Sequence, residues 1–307
     1  MEGLIYGLQE HCSREQAIII DFRVQPPFKS FLGIHFFRPR PAVEDPVTGN
    51  PFAVGRRPTP SFDQKSIELF MQEMDEAEID VAVIMGQRTG PKGRSASNDD
   101  IGELVQQYPG RFVGFAGVDP LEPGAVDEVR RSVESLGCRG VAITPGWSEL
   151  PLHDDDHAVY PIYDMCRSLG VPIVITSSHY IGADMAYSLP THIQKVAFDF
   201  PELTIIVGHA SWPWTTQICA VAMRCTNVYL MPEFYMYIPN MPGSEDYVKA
   251  ANSYLSFRMV YSSCYPGRSL GQALEEFRLL PLKSEAQQNL LGHNGARLLG
   301  LAGSKDR

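Results

Sequence analysis

Short β-branched runs alternate with stretches of helical apolar spacing along almost the whole chain. Ala17-Ile-Ile-Ile-Asp-Phe22 reads as a first strand ending in an acid. From Phe62 to Ala77 the apolar residues Ile67, Phe70, Met71 and Met74 recur at the spacing of one helix face, and Asp80-Val-Ala-Val-Ile-Met85 follows as a strand. The same alternation predicts helices around Ile101 to Gln107, Ala125 to Leu136, Tyr160 to Leu169 and Ile193 to Phe200. The matching strands are Phe112 to Val118, Gly140 to Thr144, Val171 to Thr176, and the run Thr204-Ile-Ile-Val-Gly-His209. A helix after Trp214, the strand Asn227 to Met231 and an eighth strand Met259-Val-Tyr-Ser262 complete the series. Leu270 to Phe277, Glu285 to Leu291 and Asn294 to Leu299 read as closing helices.

Eight strands alternating with helices predict an α/β fold, a parallel (β/α)8 TIM barrel, in a single domain over residues 1–307. No glycine-rich loop follows the first strand, which argues against a dinucleotide-binding sheet. Regularity stops from about 24 to 61, where Pro, Phe, Gly and Arg dominate. A connection of that length is expected to be a lid or interface arm inserted after strand 1, and Phe28, Phe31, Phe36 and Phe37 suggest that it packs.

The formal net charge of -10, with no basic runs, disfavours nucleic acid and anionic membrane as partners and favours a small molecule. Met1 to Gln16 lacks the apolar core of a signal peptide, and no apolar run is long enough to span a bilayer. A cytoplasmic protein is expected, with a homo-oligomer compatible with the lid. The six cysteines show no paired spacing, so neither a disulfide framework nor a zinc knuckle is indicated.

Several stretches together resemble the amidohydrolase-related branch of the metal-dependent hydrolase superfamily, which includes decarboxylases and hydratases of carboxylate substrates. They are Ile19-Ile-Asp21, Tyr108 to Asp119, Gly137-Cys-Arg-Gly-Val141, Leu169-Gly-Val-Pro172, Phe200-Pro-Glu-Leu203, Val207-Gly-His209, Pro213-Trp214, Asn227-Val-Tyr229, Tyr265-Pro266 and Asn294-Gly-Ala-Arg297. The resemblance implies a first strand ending in Asp-x-His-x-His, and this chain has Asp21-Phe22-Arg23-Val24-Gln25 instead. The histidine it implies on the fifth strand falls at Thr176, with His179 three residues later. The eighth-strand aspartate is replaced in Ser262-Ser263-Cys264-Tyr265-Pro266. Only His209 matches an implied ligand. Because zinc needs about three protein ligands and a guanidinium repels a dication, the expectation is no metal ligands and no cofactor. One divalent metal such as zinc, held by His209, Cys264, Glu233 and His179, is the alternative.

The candidate catalytic residues are His209, Cys264 and Glu233. His209 ends a buried strand where barrel enzymes keep their chemistry; enclosure as a structural histidine is the other reading. Cys264 follows the eighth strand, and an imidazole nearby would favour its thiolate over an inert buried thiol. Glu233, among Trp212, Phe234 and Tyr235, would have its pKa raised by an apolar mouth and act as acid or base, or else be a loop carboxylate. Arg23 and Gln25 are expected to grip a substrate carboxylate, with Thr176, His179, Arg88, Trp147, Trp212 and Tyr265 as further substrate contacts. His153 and His157 flank Asp154-Asp-Asp156, an arrangement better explained by acids entering a helix.

The sequence thus predicts a hydrolase-like enzyme working without metal on a small, anionic, carboxylate-bearing molecule. The reaction is hydrolysis or ring opening of an ester or lactone, or a related lyase or isomerase step. A conventional hydrolase or decarboxylase with an unusual single-metal site, and a non-catalytic barrel binding a ligand or partner, are the alternatives.

Overall fold

The computed structural model describes residues 18–37, 55–88 and 95–301. Seven strands form one sheet in sequence order, every neighbouring pair parallel. They are β1 (Ile20–Val24), β2 (Val81–Met85), β3 (Phe112–Gly117), β4 (Gly140–Ile143), β5 (Ile173–Ser178), β6 (Ile205–Trp212) and β7 (Val228–Met231). The predicted helix at Phe62 to Ala77 is broken in two, α1 (Pro60–Gln64) and α2 (Ile67–Glu76), because Lys65 turns left-handed and Ser66 caps the second piece through Leu69 N. Then follow α3 (Asn98–Gln107), α4 (Ala125–Glu134), α5 (Tyr160–Leu169), α6 (Pro190–Asp199) and α7 (Thr215–Arg224). The short α8 (Phe234–Tyr237), α9 (Ser244–Ala251), α10 (Leu270–Arg278), α11 (Ser284–Gln288) and α12 (Asn294–Leu299) complete the outer layer.

The core has two parts. Ile20, Phe22, Val83, Phe115, Val174, Ile206 and Met231, from six of the strands, form an inner cluster. A larger cluster, including Phe70, Ile101, Ile162, Ile193 and Ile218, joins the sheet to the helices. Burial on both faces explains why these strands read as continuous apolar runs.

The predicted eighth strand is not a strand among the described residues. Met259 to Tyr265 instead closes the circle with isolated bridges, Leu230 to Met259 and Val24 to Tyr265. Val260 N donates to Leu230 O, Phe22 N to Tyr261 O and Gln25 N to Tyr265 O. The reason is local chemistry. The Ser262 and Ser263 hydroxyls accept from the backbone N–H groups of Cys264 and Tyr265, competing with a ladder, and Cys264 has φ 54°.

Of the segment 24–61, residues 38–54 lie outside the described residues. In the described part Phe31 and Phe37 are buried, and Phe37 stacks on Phe62 with ring centroids 5.3 Å apart. No helix is long and apolar enough to cross a membrane among the described residues.

Candidate active site

The C-terminal ends of the strands bring three donors together. A nitrogen of His209, a carboxylate oxygen of Glu233 and the sulfur of Cys264 lie within 4.8 Å of one another. Each donor residue has positive φ: His209 at 61°, Glu233 at 59° and Cys264 at 54°, and Ala210 and Ser211 continue the left-handed turn inside β6. Sparsely populated backbone conformations of this kind cost an L-residue roughly 1–3 kcal/mol, so the surroundings must hold them. Tyr247 donates its hydroxyl to Ala210 O at 2.9 Å, and Tyr237 donates to the Ser262 and Ser263 carbonyls at 3.2 and 3.0 Å. Ser177 and Ser211 share a 3.1 Å hydroxyl contact. Buried tyrosines therefore satisfy the carbonyls that the turns remove from the sheet.

Arg23 reaches the same place from β1, where the register slips between Asp21 and Val24 and re-aims the strand end. Its Nη1 donates to Glu233 Oε1 at 3.3 Å and to Thr176 Oγ1, on β5, at 3.4 Å. The other carboxylate oxygen, Oε2, stands 2.7 Å from His209 Nδ1. That contact lacks hydrogen-bond alignment, since both atoms are buried without a hydrogen-bond partner.

Charge follows from this geometry. Burial alone would raise Glu233, but the attraction of His209 and then of Arg23 outweighs it and holds the carboxyl down at about 2. The sequence expectation of a raised Glu233 is thus reversed. Burial, and next the Glu233 charge, pushes the Cys264 thiol well above its usual value, so proximity to His209 does not yield a free thiolate as expected. Asp21, which sequence reasoning left out of the site, is fully buried and pushed up to about 7, chiefly by burial. Its Oδ1 accepts from Ser263 N and Arg23 N, while Oδ2 has no hydrogen-bond partner.

Planar groups surround the donors. Trp212 stacks on Tyr235 at 5.0 Å and 13°, Tyr235 meets His209 edge-on at 5.5 Å, and Phe234 lies 5.5 Å from the same imidazole. His179 packs edge-on against Trp212, and its Nδ1 is 3.4 Å from the Tyr235 hydroxyl; burial and then His209 hold its pKa below the usual value. It is not one of the three converging donors. Trp147 donates to Tyr180 O and meets His35 edge-on. Gln25 donates to Gln87, whose amide nitrogen lies 3.4 Å from His35 Nδ1. Gln87 lies two residues past β2 and could have been found by the strand-end rule that picked out His209; His35 carries no such signal.

Two expected substrate contacts are placed elsewhere. Tyr265 is buried with its hydroxyl 2.7 Å from Ser61 of α1 and its ring edge-on to Phe70 of α2, so it ties the barrel to its outer helices. Arg88 pairs with Glu122 at 2.7 Å and lines a cleft of about 430 Å³ with Asp99, Glu128 and Arg131, none of which belongs to the donor group. His153 is sandwiched between Tyr187 and His192, in keeping with a structural role.

The amidohydrolase family profile matches residues 35–301. The chain is 24% identical over 245 residues to 2-amino-3-carboxymuconate-6-semialdehyde decarboxylase of Dictyostelium discoideum, covering 68% of this chain and 66% of that protein, slightly under two thirds of its length. It is 24% identical over 279 residues to gamma-resorcylate decarboxylase of Polaromonas sp. strain JS666, covering 77% and 84%. An uncharacterized TIM-barrel protein of Bordetella bronchiseptica superimposes with a TM-score of 0.83 at 36% identity, over 93% of this chain and 99% of the other. The fold is also that of a dihydroxybenzoic acid decarboxylase from Polaromonas sp. JS666, solved with bound manganese and 2-nitroresorcinol (TM-score 0.64, 17% identity, 92% and 97% covered).

Manganese in that relative overturns the expectation that no cofactor is needed. The donor group present here can hold a cation, because the Arg23 charge expected to repel one is paired with Glu233 at 3.3 Å. Bonds of 2.0–2.3 Å around a tetrahedral zinc would separate its donors by about 3.3–3.7 Å, a spacing compatible with three donor atoms within 4.8 Å of one another. His209 Nδ1 and Glu233 Oε2 are buried without a hydrogen-bond partner, as donors awaiting an ion would be, and at 2.7 Å they would have to part to reach that spacing.

Proposed function

The chain belongs to the amidohydrolase family, and from that premise we propose that it is a metal-assisted decarboxylase of a small aromatic carboxylate. The observation that carries this reading is the convergence of His209, Glu233 and Cys264 on one point beside the Arg23 guanidinium. The decarboxylases among its relatives support it.

In the net reaction the bond between the ring and the carboxylate breaks, carbon dioxide leaves, and the ring carbon keeps the electron pair and takes up one proton. Arg23 offers the donors that orient an anionic group. The stacked Trp212 and Tyr235, with His179 and Trp147, supply flat walls for a ring. Gln25 and Gln87 present amides to a ring hydroxyl. His209, Glu233 and Cys264 would hold the cation, Glu233 being ionised already. When bound, the ion supplies Lewis-acid polarisation of a substrate oxygen and neutralises charge near the reacting carbon.

The test is to load purified protein with zinc or manganese and follow carbon dioxide release from a panel of hydroxybenzoates. Ion-dependent release, lost on chelation, is expected. Ester or lactone hydrolysis without decarboxylation would overturn this reading in favour of a hydrolase.

A further inference from the structure

Resting on the reading of this centre as a cation site, we infer that Cys264 is a thiolate ligand and sets the preference of the site for zinc over manganese. The donors are one nitrogen, one carboxylate oxygen and one sulfur. Sulfur is a soft donor that suits zinc, whereas manganese is suited by carboxylate, carbonyl and water oxygens.

Glu233 sharpens the preference. Its Oε1 accepts from Arg23 at 3.3 Å, so Oε2, 2.7 Å from His209 Nδ1, is the oxygen on the side of the other donors. A carboxylate held in this way favours binding an ion through the one oxygen that faces the other donors. Three protein donors are the number that a four-coordinate catalytic zinc site takes from the chain. An octahedral ion would need three further oxygens, and beside the donors stand the Arg23 cation, the rings of Phe234 and Tyr235, the Thr176 hydroxyl, which Arg23 already engages at 3.4 Å, and the Asp21 carboxyl, held by Ser263 N and Arg23 N. Burial opposes a free Cys264 thiolate, but a coordinating thiol is deprotonated outright, the ion taking the place of the proton.

Metal-free full-length protein is titrated with zinc, manganese and cobalt, and the cobalt form is examined by absorption spectroscopy. Wild type is expected to bind one zinc per chain, and its cobalt form to show a sulfur-to-metal charge-transfer band that Cys264→Asp lacks. Zinc outranks manganese at most sites on intrinsic affinity, so the decisive quantity is the change in the ratio. Cys264→Asp should reduce the zinc-to-manganese preference by more than about tenfold, the least that loss of even an outer-shell partner commonly costs. If that variant does not fold, X-ray absorption of the wild-type zinc form decides, with one sulfur expected at about 2.3 Å. Absence of the sulfur signal, or an unchanged ratio in Cys264→Asp, overturns the inference and leaves the cation reading standing. Failure of all three ions to bind removes that reading as well.

Discussion

A Cβ on Gly208 would sit 2.8 Å from Nη1 of Arg23, so β6 leaves open at that residue the space through which the guanidinium reaches Glu233. The clash is with the end of a flexible side chain, and alanine is otherwise no worse than glycine in a strand. Gly208→Ala is therefore expected to fold, with a loss of stability of up to about 3–5 kcal/mol if the buried Arg23–Glu233 pair is fully broken. The displaced guanidinium should raise KM for an anionic substrate at least several-fold. Thermal melting together with steady-state kinetics separates the two effects, and an unchanged KM would detach Arg23 from substrate.

Arg23→Lys tests the same residue by chemistry. The charge beside Glu233 is kept, but the planar fork is lost. Binding of a carboxylate ligand should weaken by about tenfold, the loss of a charge-assisted hydrogen bond, with little change in melting temperature. Isothermal titration with a non-reactive benzoate measures it.

Tyr247→Phe removes the donor that satisfies Ala210 O in the left-handed turn. A buried carbonyl left without a partner costs about 1–3 kcal/mol, so a lower urea midpoint is expected. Because Ala210 adjoins His209, zinc affinity should fall as well. Loss of stability with unaltered zinc affinity would show that the turn holds its shape without this bond.

Asp21 and Glu233 give opposite pH dependences in metal-free protein. Asp21 is raised to about 7, so the folded chain binds its proton more tightly than the unfolded one; the associated stability is full below about pH 4 and is lost as pH rises toward 7. Glu233 is depressed to about 2, so its contribution is present above about pH 4.5 and is lost as pH falls toward 2. In Asp21→Asn the decline between pH 4 and 7 should become shallower by up to one proton. Urea midpoints across that range, compared with wild type, measure the difference.

The repeating strands and helices were legible because strands buried on both faces are continuous β-branched runs, as in Ile205 to Val207 and Ile173 to Ile175. The eighth was misread because Met259-Val-Tyr supplies the apolar run, while Ser262 and Ser263 bind the backbone that a ladder would need. His209, Glu233 and Cys264 were legible as strand-end positions. Their charge states were not, since these depend on which groups face one another across the mouth: Arg23 opposite Glu233 reverses the shift that an apolar mouth alone predicts. Tyr265 fails for a directional reason. It follows Cys264 directly, yet its side chain packs against α1 and α2.

The joint between β7 and β1, made of isolated bridges, has a mechanical consequence. A split ring opens at its gap, and here the gap segment carries Cys264 while His209 and Glu233 stand on the continuous side. An ion gripping all three would act as a clasp across the split. Exchange of the Val260 and Gln25 amides, which bond across that gap, would then slow most when the clasp is fastened.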